Sequence, residues 1–205
     1  MSARDNESKQ KILLTALTLI KEQGYDEVTL NNICATANIS KNTFYYYFKS
    51  KEDLLLQFYS IPTDMATRNL ASILMAENSI EQYWKTIEPM LDFIVDSGTE
   101  ITKRILYALT NENLQAFDSS KLDRNIPEVQ ATIIRRAQAS GEIRNTSDPC
   151  LLLAIEQVQL LGIVSLWCTL NGIFDFKNAV RLGIEVCFDV KPELRKAPSD
   201  VFSEL

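Results

Sequence analysis

Histidine is absent from all 205 residues. Its absence excludes Ser-His-Asp and Cys-His catalytic groupings, and any zinc or haem site that needs an imidazole. Di-metal carboxylate sites in helical bundles use Glu-x-x-His pairs, so that enzyme class is excluded as well. No P-loop, G-x-G-x-x-G or G-x-S-x-G segment occurs. Cysteine is scarce. Cys34, Cys150, Cys168 and Cys187 show no C-x-x-C spacing and sit in apolar runs, where a thiol behaves as a small hydrophobe. Reduced thiols are expected rather than a disulfide framework. The first ten residues, MSARDNESKQ, lack the apolar stretch of a signal peptide, which makes the cytoplasm the expected location. Only six Gly and six Pro punctuate the chain, and no long alternating run suggests a strand. The expectation is an all-α protein with no catalytic residue, no metal and no cofactor.

What is present is unevenly distributed. The formal net charge is −6, which argues against nucleic acid as a partner only if charge is uniform. Residues 1–51 carry seven Lys and Arg against five acids, a local charge of +2, and the rest of the chain carries −8. Surface fields are screened beyond about 8–10 Å, so the local balance decides what a surface attracts. A mildly basic head on an acidic body is compatible with one DNA-binding end.

Helix signals run the length of the chain. A first helix carries Ile12, Leu13, Ala16, Leu17 and Ile20 at helical spacing and stops at Gly24. Thr29 is placed to cap a short second helix with Leu30, Ile33, Cys34 and Ala37, followed by Asn38, which tolerates a left-handed turn. Ser40 caps a third helix over 41–48, and Ser50 with Asp53 gives a near capping box for a fourth. Pro62 kinks or divides that helix. Further helices are expected from Ser79 to Gly98 with a kink at Pro89, over 99–117, over 127–139 with Gly141 as stop, over 149–170, and over 176–190. Residues 192–205 are polar and read as a flexible tail.

The stretch 151–170 is long and apolar enough to invite a membrane-spanning reading. Glu156, Gln157 and Gln159 interrupt it, and a central charge costs about 2.5–3.5 kcal/mol on insertion. A helix that meets its own core on one side and a partner on the other fits better, with no membrane involved. Together with the last helix it predicts a two-fold interface through Leu160, Gly162, Leu182, Gly183 and Ile184.

Residues 29–53, TLNNICATANISKNTFYYYFKSKED, are the most informative. Two short helices across a tight Asn38 turn, behind a supporting helix, describe a helix-turn-helix. Phe44 and Phe48 face inward, which crowds Lys41, Asn42, Thr43, Tyr45, Tyr46 and Tyr47 around the remaining surface. Tyr hydroxyls and Lys ammonium groups suit phosphate oxygens, and Asn and Thr suit base edges. Lys51 stands at the start of the next helix, a place that favours a phosphate.

The run from Ser40 to Leu54, with Gly24-Tyr25, Val28-Thr29 and the segment 33–39 before it, resembles the signature of TetR (tetracycline-repressor) family transcriptional regulators. Asn38 and Asn42 stand where that family commonly has Gly. The resemblance implies a homodimer of two-domain helical subunits, with residues 1–51 binding double-stranded DNA and residues 52–191 dimerising and enclosing an effector site. By position it places Lys41, Asn42, Thr43, Tyr45, Tyr46 and Lys51 on DNA, supported by Thr29 and Asn31. An apolar effector site is expected around Tyr83, Trp84, Ile87, Met90, Leu106, Tyr107 and Trp167. The function expected is a repressor released from a palindromic operator by a small apolar or amphipathic effector. An activator, or a protein-interaction module without an effector, is the alternative. Pro62 is the candidate hinge between the two functions.

Overall fold

The computed structural model describes residues 3–58, 70–111 and 125–203. Among these the chain forms nine α-helices: α1 (Ala3–Gln23), α2 (Leu30–Ala37), α3 (Lys41–Tyr47), α4 (Lys51–Gln57), α5 (Leu70–Leu74), α6 (Ser79–Asn111), α7 (Asn125–Ala139), α8 (Pro149–Thr169) and α9 (Phe176–Cys187). The chain is therefore all-α, as its composition implied. β pairing among the described residues is limited to one antiparallel bridge between Ile143 and Val190. Two compact units result, one from Met1–Ile61 with Glu100–Asp118, the other from Pro62–Thr99 with Ser119–Leu205. Pro62 and the expected extension of α6 to Phe117 lie outside the described residues.

The first unit forms because short amphipathic helices share one apolar centre. The α1 stripe Ile12, Leu13, Ala16, Leu17 and Ile20 is buried and packs against α2, which adds Ile33 and Ala37. Phe44 and Phe48 are 0% and 1% exposed and enter the same core with Leu54, Leu55 and Phe58. Gly24, at φ 88°, ends α1 in a conformation that side chains resist. The later part of α6 supplies Ile101, Ile105 and Ala108, all buried.

In the second unit α8 packs on α7 and α9. Asp148 caps α8 by accepting from the Cys150 and Leu151 amides, with Pro149 at the first helical position. The interruption in α6 falls at Gly98 (φ 76°, ψ 170°) and not at Pro89. Proline's fixed φ is itself helical, so it removes one donor without forcing a turn, whereas a positive φ cannot belong to a right-handed helix. The last helix stops at Cys187, three residues before its expected end, because Asp189 turns left-handed (φ 49°) and Val190 leaves to pair with Ile143.

The polar segment after Pro192 is held more firmly than its composition suggested. Glu185, 1% exposed, accepts from the Lys196 and Ala197 amides at 2.8 and 3.2 Å and from Arg181 Nε at 2.9 Å. Arg181 also pairs with Glu81 and lies over the Trp84 ring, 4.9 Å from its centroid. Farther on, Phe202 meets Phe174 at 5.5 Å. Removing one member of a buried ion network leaves the other desolvated and underpaired. Glu185→Ala is expected to destabilise the fold by about 3 kcal/mol, read as a lower urea midpoint, and to accelerate amide exchange at Lys196 and Ala197.

Candidate nucleic-acid interface

The turn between α2 and α3 is built by local side-chain chemistry. The Thr29 hydroxyl accepts from the Asn32 amide at 3.2 Å, and the Asn32 side chain accepts from the Thr29 amide at 2.9 Å, a reciprocal cap at the start of α2. Asn38 ends α2 in the left-handed region (φ 55°, ψ 53°), and the Ile39 amide returns to the Cys34 carbonyl at 2.9 Å. Ser40 caps α3 by accepting from the Thr43 amide at 3.0 Å.

On α3 the division of faces is sharp. Phe44 and Phe48 pack at 5.3 Å in the core, while Tyr45 and Tyr46 are 56% and 71% exposed. Tyr46 and Tyr47 meet edge to face at 4.8 Å, which stiffens the outward cluster. Lys41 and Asn42 are exposed beside them, and so is Asn31 on α2. Thr43 is half-buried with its hydroxyl 2.8 Å from that of Ser40, and the Thr29 hydroxyl is committed to its own cap. Lys49, exposed just beyond α3, is a cation that the sequence reading did not single out.

Lys51 departs from expectation. Its ammonium donates to the Tyr25 carbonyl and lies 3.9 Å from the centroid of the Tyr25 ring. Burial holds its pKa below the usual lysine value. The start of α4 is capped from within: the Asp53 amide donates to Ser50 Oγ at 3.1 Å and the Lys49 amide to Asp53 Oδ2 at 2.7 Å. With Glu52 and Asp53 in its first turn, this helix end offers an anion little.

The family described as "Bacterial regulatory proteins, tetR family" matches residues 12–58, the segment that builds this unit. Residues 12–58 thus resemble the N-terminal segment of tetR-family regulators. Among the chain's relatives is the biofilm operon icaADBC HTH-type negative transcriptional regulator IcaR of Staphylococcus aureus (strain Newman), 32% identical over 98 residues, or 48% of this chain and 50% of that one. An uncharacterised HTH-type transcriptional regulator, YvdT of Bacillus subtilis (strain 168), is 32% identical over 95 residues, or 46% of this chain and 45% of that one. The chain thus spans about half the length of the curated relatives it matches. Among solved structures, FadR from Bacillus subtilis in complex with stearoyl-CoA has the same fold, with TM-score 0.66 and 20% identity over 87% of this chain and 97% of that one. Thermus thermophilus FadR in complex with lauroyl-CoA gives TM-score 0.62 and 18% identity over 93% and 98%.

Within the second unit, the aromatic residues expected around an effector pack against other side chains. Tyr83 packs edge-on against Phe188 and Trp167 against Phe176, each at 5.2 Å, and Trp84 lies under Arg181. Ile87 is buried and Met90 half-buried. Leu106 and Tyr107 belong to the first unit, and Tyr107 is 68% exposed. Two grooves flank α7 instead. One of about 520 Å³ is lined by Ala131, Arg135, Cys150 and Leu153 among others. The other, about 430 Å³, includes Leu70, Ile73, Leu74, Ile133 and Arg136. None of the seven expected residues lines either one.

The expected dimer residues also divide. Gly162 is exposed and Leu160 and Leu182 are half-buried. Ile184 is 4% exposed within the chain, and Gly183 is covered by the Gln159 side chain. The apolar side chains left open on α8 are Leu151, Ile155, Val158, Leu161 and Leu166, with Val186 on α9. This helix is long and apolar enough to cross a membrane (mean hydropathy 1.8), yet its inner side is packed and holds a carboxyl.

That carboxyl, Glu156, is 1% exposed. Its Oε2 accepts from Gln157 at 2.9 Å, whereas its Oε1 and the Tyr83 hydroxyl have no hydrogen-bond partner among the described residues. Burial pushes the Glu156 pKa up to about 7, and Tyr83, which feels its charge, is driven upward as well. The folded chain thus holds this proton more tightly than the unfolded chain does. The contribution of this group to stability is fully present below the unfolded value near 4.5 and is lost as pH rises through about 7. The decline amounts to about 3 kcal/mol. Urea midpoints measured from pH 4.5 to 8 should show it in the wild type and not in Glu156→Gln.

Proposed function

We propose that this chain is a dimeric, sequence-specific DNA-binding transcriptional repressor of the TetR family, whose affinity for a palindromic operator is lowered by an amphipathic effector. The observation that carries this reading is the outward face of α3: two exposed tyrosines, an exposed amide and an exposed lysine on a helix anchored by two buried phenylalanines. Leaving aromatic rings in water gains nothing unless another molecule covers them. Lys41 and Lys49 suit phosphates, Tyr45 and Tyr46 suit phosphate or sugar oxygens, and the Asn42 amide suits an adenine edge. Thr29, Asn31 and Thr43 support this surface, and Lys51 supports it from inside. Domains of DNA binding and of effector binding with dimerisation, joined after Lys51, remain part of the proposal, as does action in the cytoplasm.

The open apolar row on α8 supports a two-fold helical interface. For the effector, the grooves beside α7 offer apolar walls with Arg135 or Arg136 on them, a combination suited to an acyl chain with an anionic head. The acyl-CoA complexes of the two FadR neighbours make stearoyl-CoA the first probe.

Selection from a randomised DNA pool should enrich a palindrome with half-sites about 34–36 Å apart or a multiple of that spacing. Lys41→Ala should reduce the salt slope of binding by about 1, and Asn42→Ala should change preference at one base pair by about 1–3 kcal/mol. No enrichment over the starting pool contradicts the reading. Val158→Glu should convert the dimer to monomer in sedimentation, because it strands a charge in the interface. A wild-type chain that sediments as a monomer at micromolar concentration contradicts the dimer.

A further inference from the structure

Tyr25, next to the glycine that ends α1, is gripped from three sides within the first unit. Its carbonyl accepts from the Lys51 ammonium, which also sits over the ring. Its hydroxyl donates to Glu52 Oε1 at 3.3 Å. The Arg104 guanidinium of α6 lies 5.4 Å from the same ring and pairs with Asp26. Burial and the Glu52 charge push the phenol's pKa upward, which keeps it a neutral donor.

The sequence positions give these contacts their meaning. Tyr25 and Asp26 precede the Thr29 cap of α2, and Lys51 and Glu52 follow α3 directly. Both flanks of the helix-turn-helix therefore converge on one aromatic ring. Arg104 reaches that ring from far along the chain, six residues beyond the break at Gly98. Its ion pair is largely exposed and its stacking is a single cation–π contact, so it contributes little to overall stability. Its leverage is geometric, since it bridges the ring and the next side chain of the loop.

We infer that Arg104 is a positioning residue: by clasping Tyr25 and Asp26 it fixes the two flanks of the helix-turn-helix, and so sets how α3 is presented, without touching DNA itself. This rests on the DNA-binding reading above.

The test compares wild type, Arg104→Ala and Arg104→Lys as full-length chains, in two arms. In the first arm, without DNA, amide exchange at residues 25–29 and 51–54 should quicken in Arg104→Ala, by about tenfold, while the α1 core amides keep their wild-type rates. In the second arm, on DNA selected by the wild type, Arg104→Ala should bind about tenfold more weakly at every salt concentration. Its salt slope should be unchanged, since no phosphate contact is lost. Arg104→Lys, which keeps a cation for Asp26 and the ring, should stay within about threefold of wild type. Melting should fall by no more than about 2–4 °C. Unchanged exchange at both flanks overturns the clasp, as does a salt slope reduced by about 1 or a loss of affinity matched by general unfolding. A wild type that selects no DNA overturns the function proposed above instead, and the exchange arm still decides the clasp.

Discussion

A seven-residue helix cannot hold a fixed orientation by its own hydrogen bonds, because nucleation costs more than so few residues return. α3 is held by the burial of Phe44 and Phe48, whose rings lie one turn apart and enter a core made by α1, α2 and α4. That anchoring dictates everything on its other side. With positions 44 and 48 inward, Asn42, Tyr45 and Tyr46 point out and Lys41 is exposed at the first position of the helix; these are the residues whose chemistry suits phosphates and bases. The supporting contacts serve the same end. The cap at Thr29, the left-handed Asn38 and the caps at Ser40 and Ser50 fix where α2, α3 and α4 begin and end.

The second unit obeys a different constraint. α8 is apolar nearly all round, and the chain covers only its inner side, at Leu152, Val164, Trp167 and Cys168. The outer row, Leu151, Ile155, Val158, Leu161 and Leu166, stays exposed. Charged groups are also buried in this unit, in the Arg181–Glu81–Glu185 network and at Glu156. Burial makes both demanding, since a charge removed from water must find partners or lose its charge. Arg181 and Glu185 find partners. Glu156 holds its proton to higher pH instead.

What the sequence disclosed and what it withheld separate along a physical line. Helix starts and stops were legible because capping is local: Thr29, Asn38, Ser40, Ser50, Asp148 and Gly141 each act within a few residues of themselves. The inward set of α1 was legible from spacing alone. Lys51 was not, because its partner is 26 residues away in sequence and its location after α3 looked like that of a phosphate ligand. Ile184 and Gly183 were assigned to an open face because α9 is apolar on more than one side, and only packing against α8 shows which side is covered. Glu156 looked like an interruption in an apolar run, and nothing local shows that it turns inward toward Tyr83. Arg104 carries no signal in its neighbours that it reaches Asp26.

The division of α3 into an anchored and a presented face is the claim on which the functional reading stands. Nuclear magnetic resonance of the chain with isotope-labelled tyrosine rings, titrated with its selected DNA, tests it most directly. The account predicts that the Tyr45 and Tyr46 signals shift on binding while that of the buried Tyr83 keeps its position. DNA binding that leaves Tyr45 and Tyr46 unmoved would contradict it.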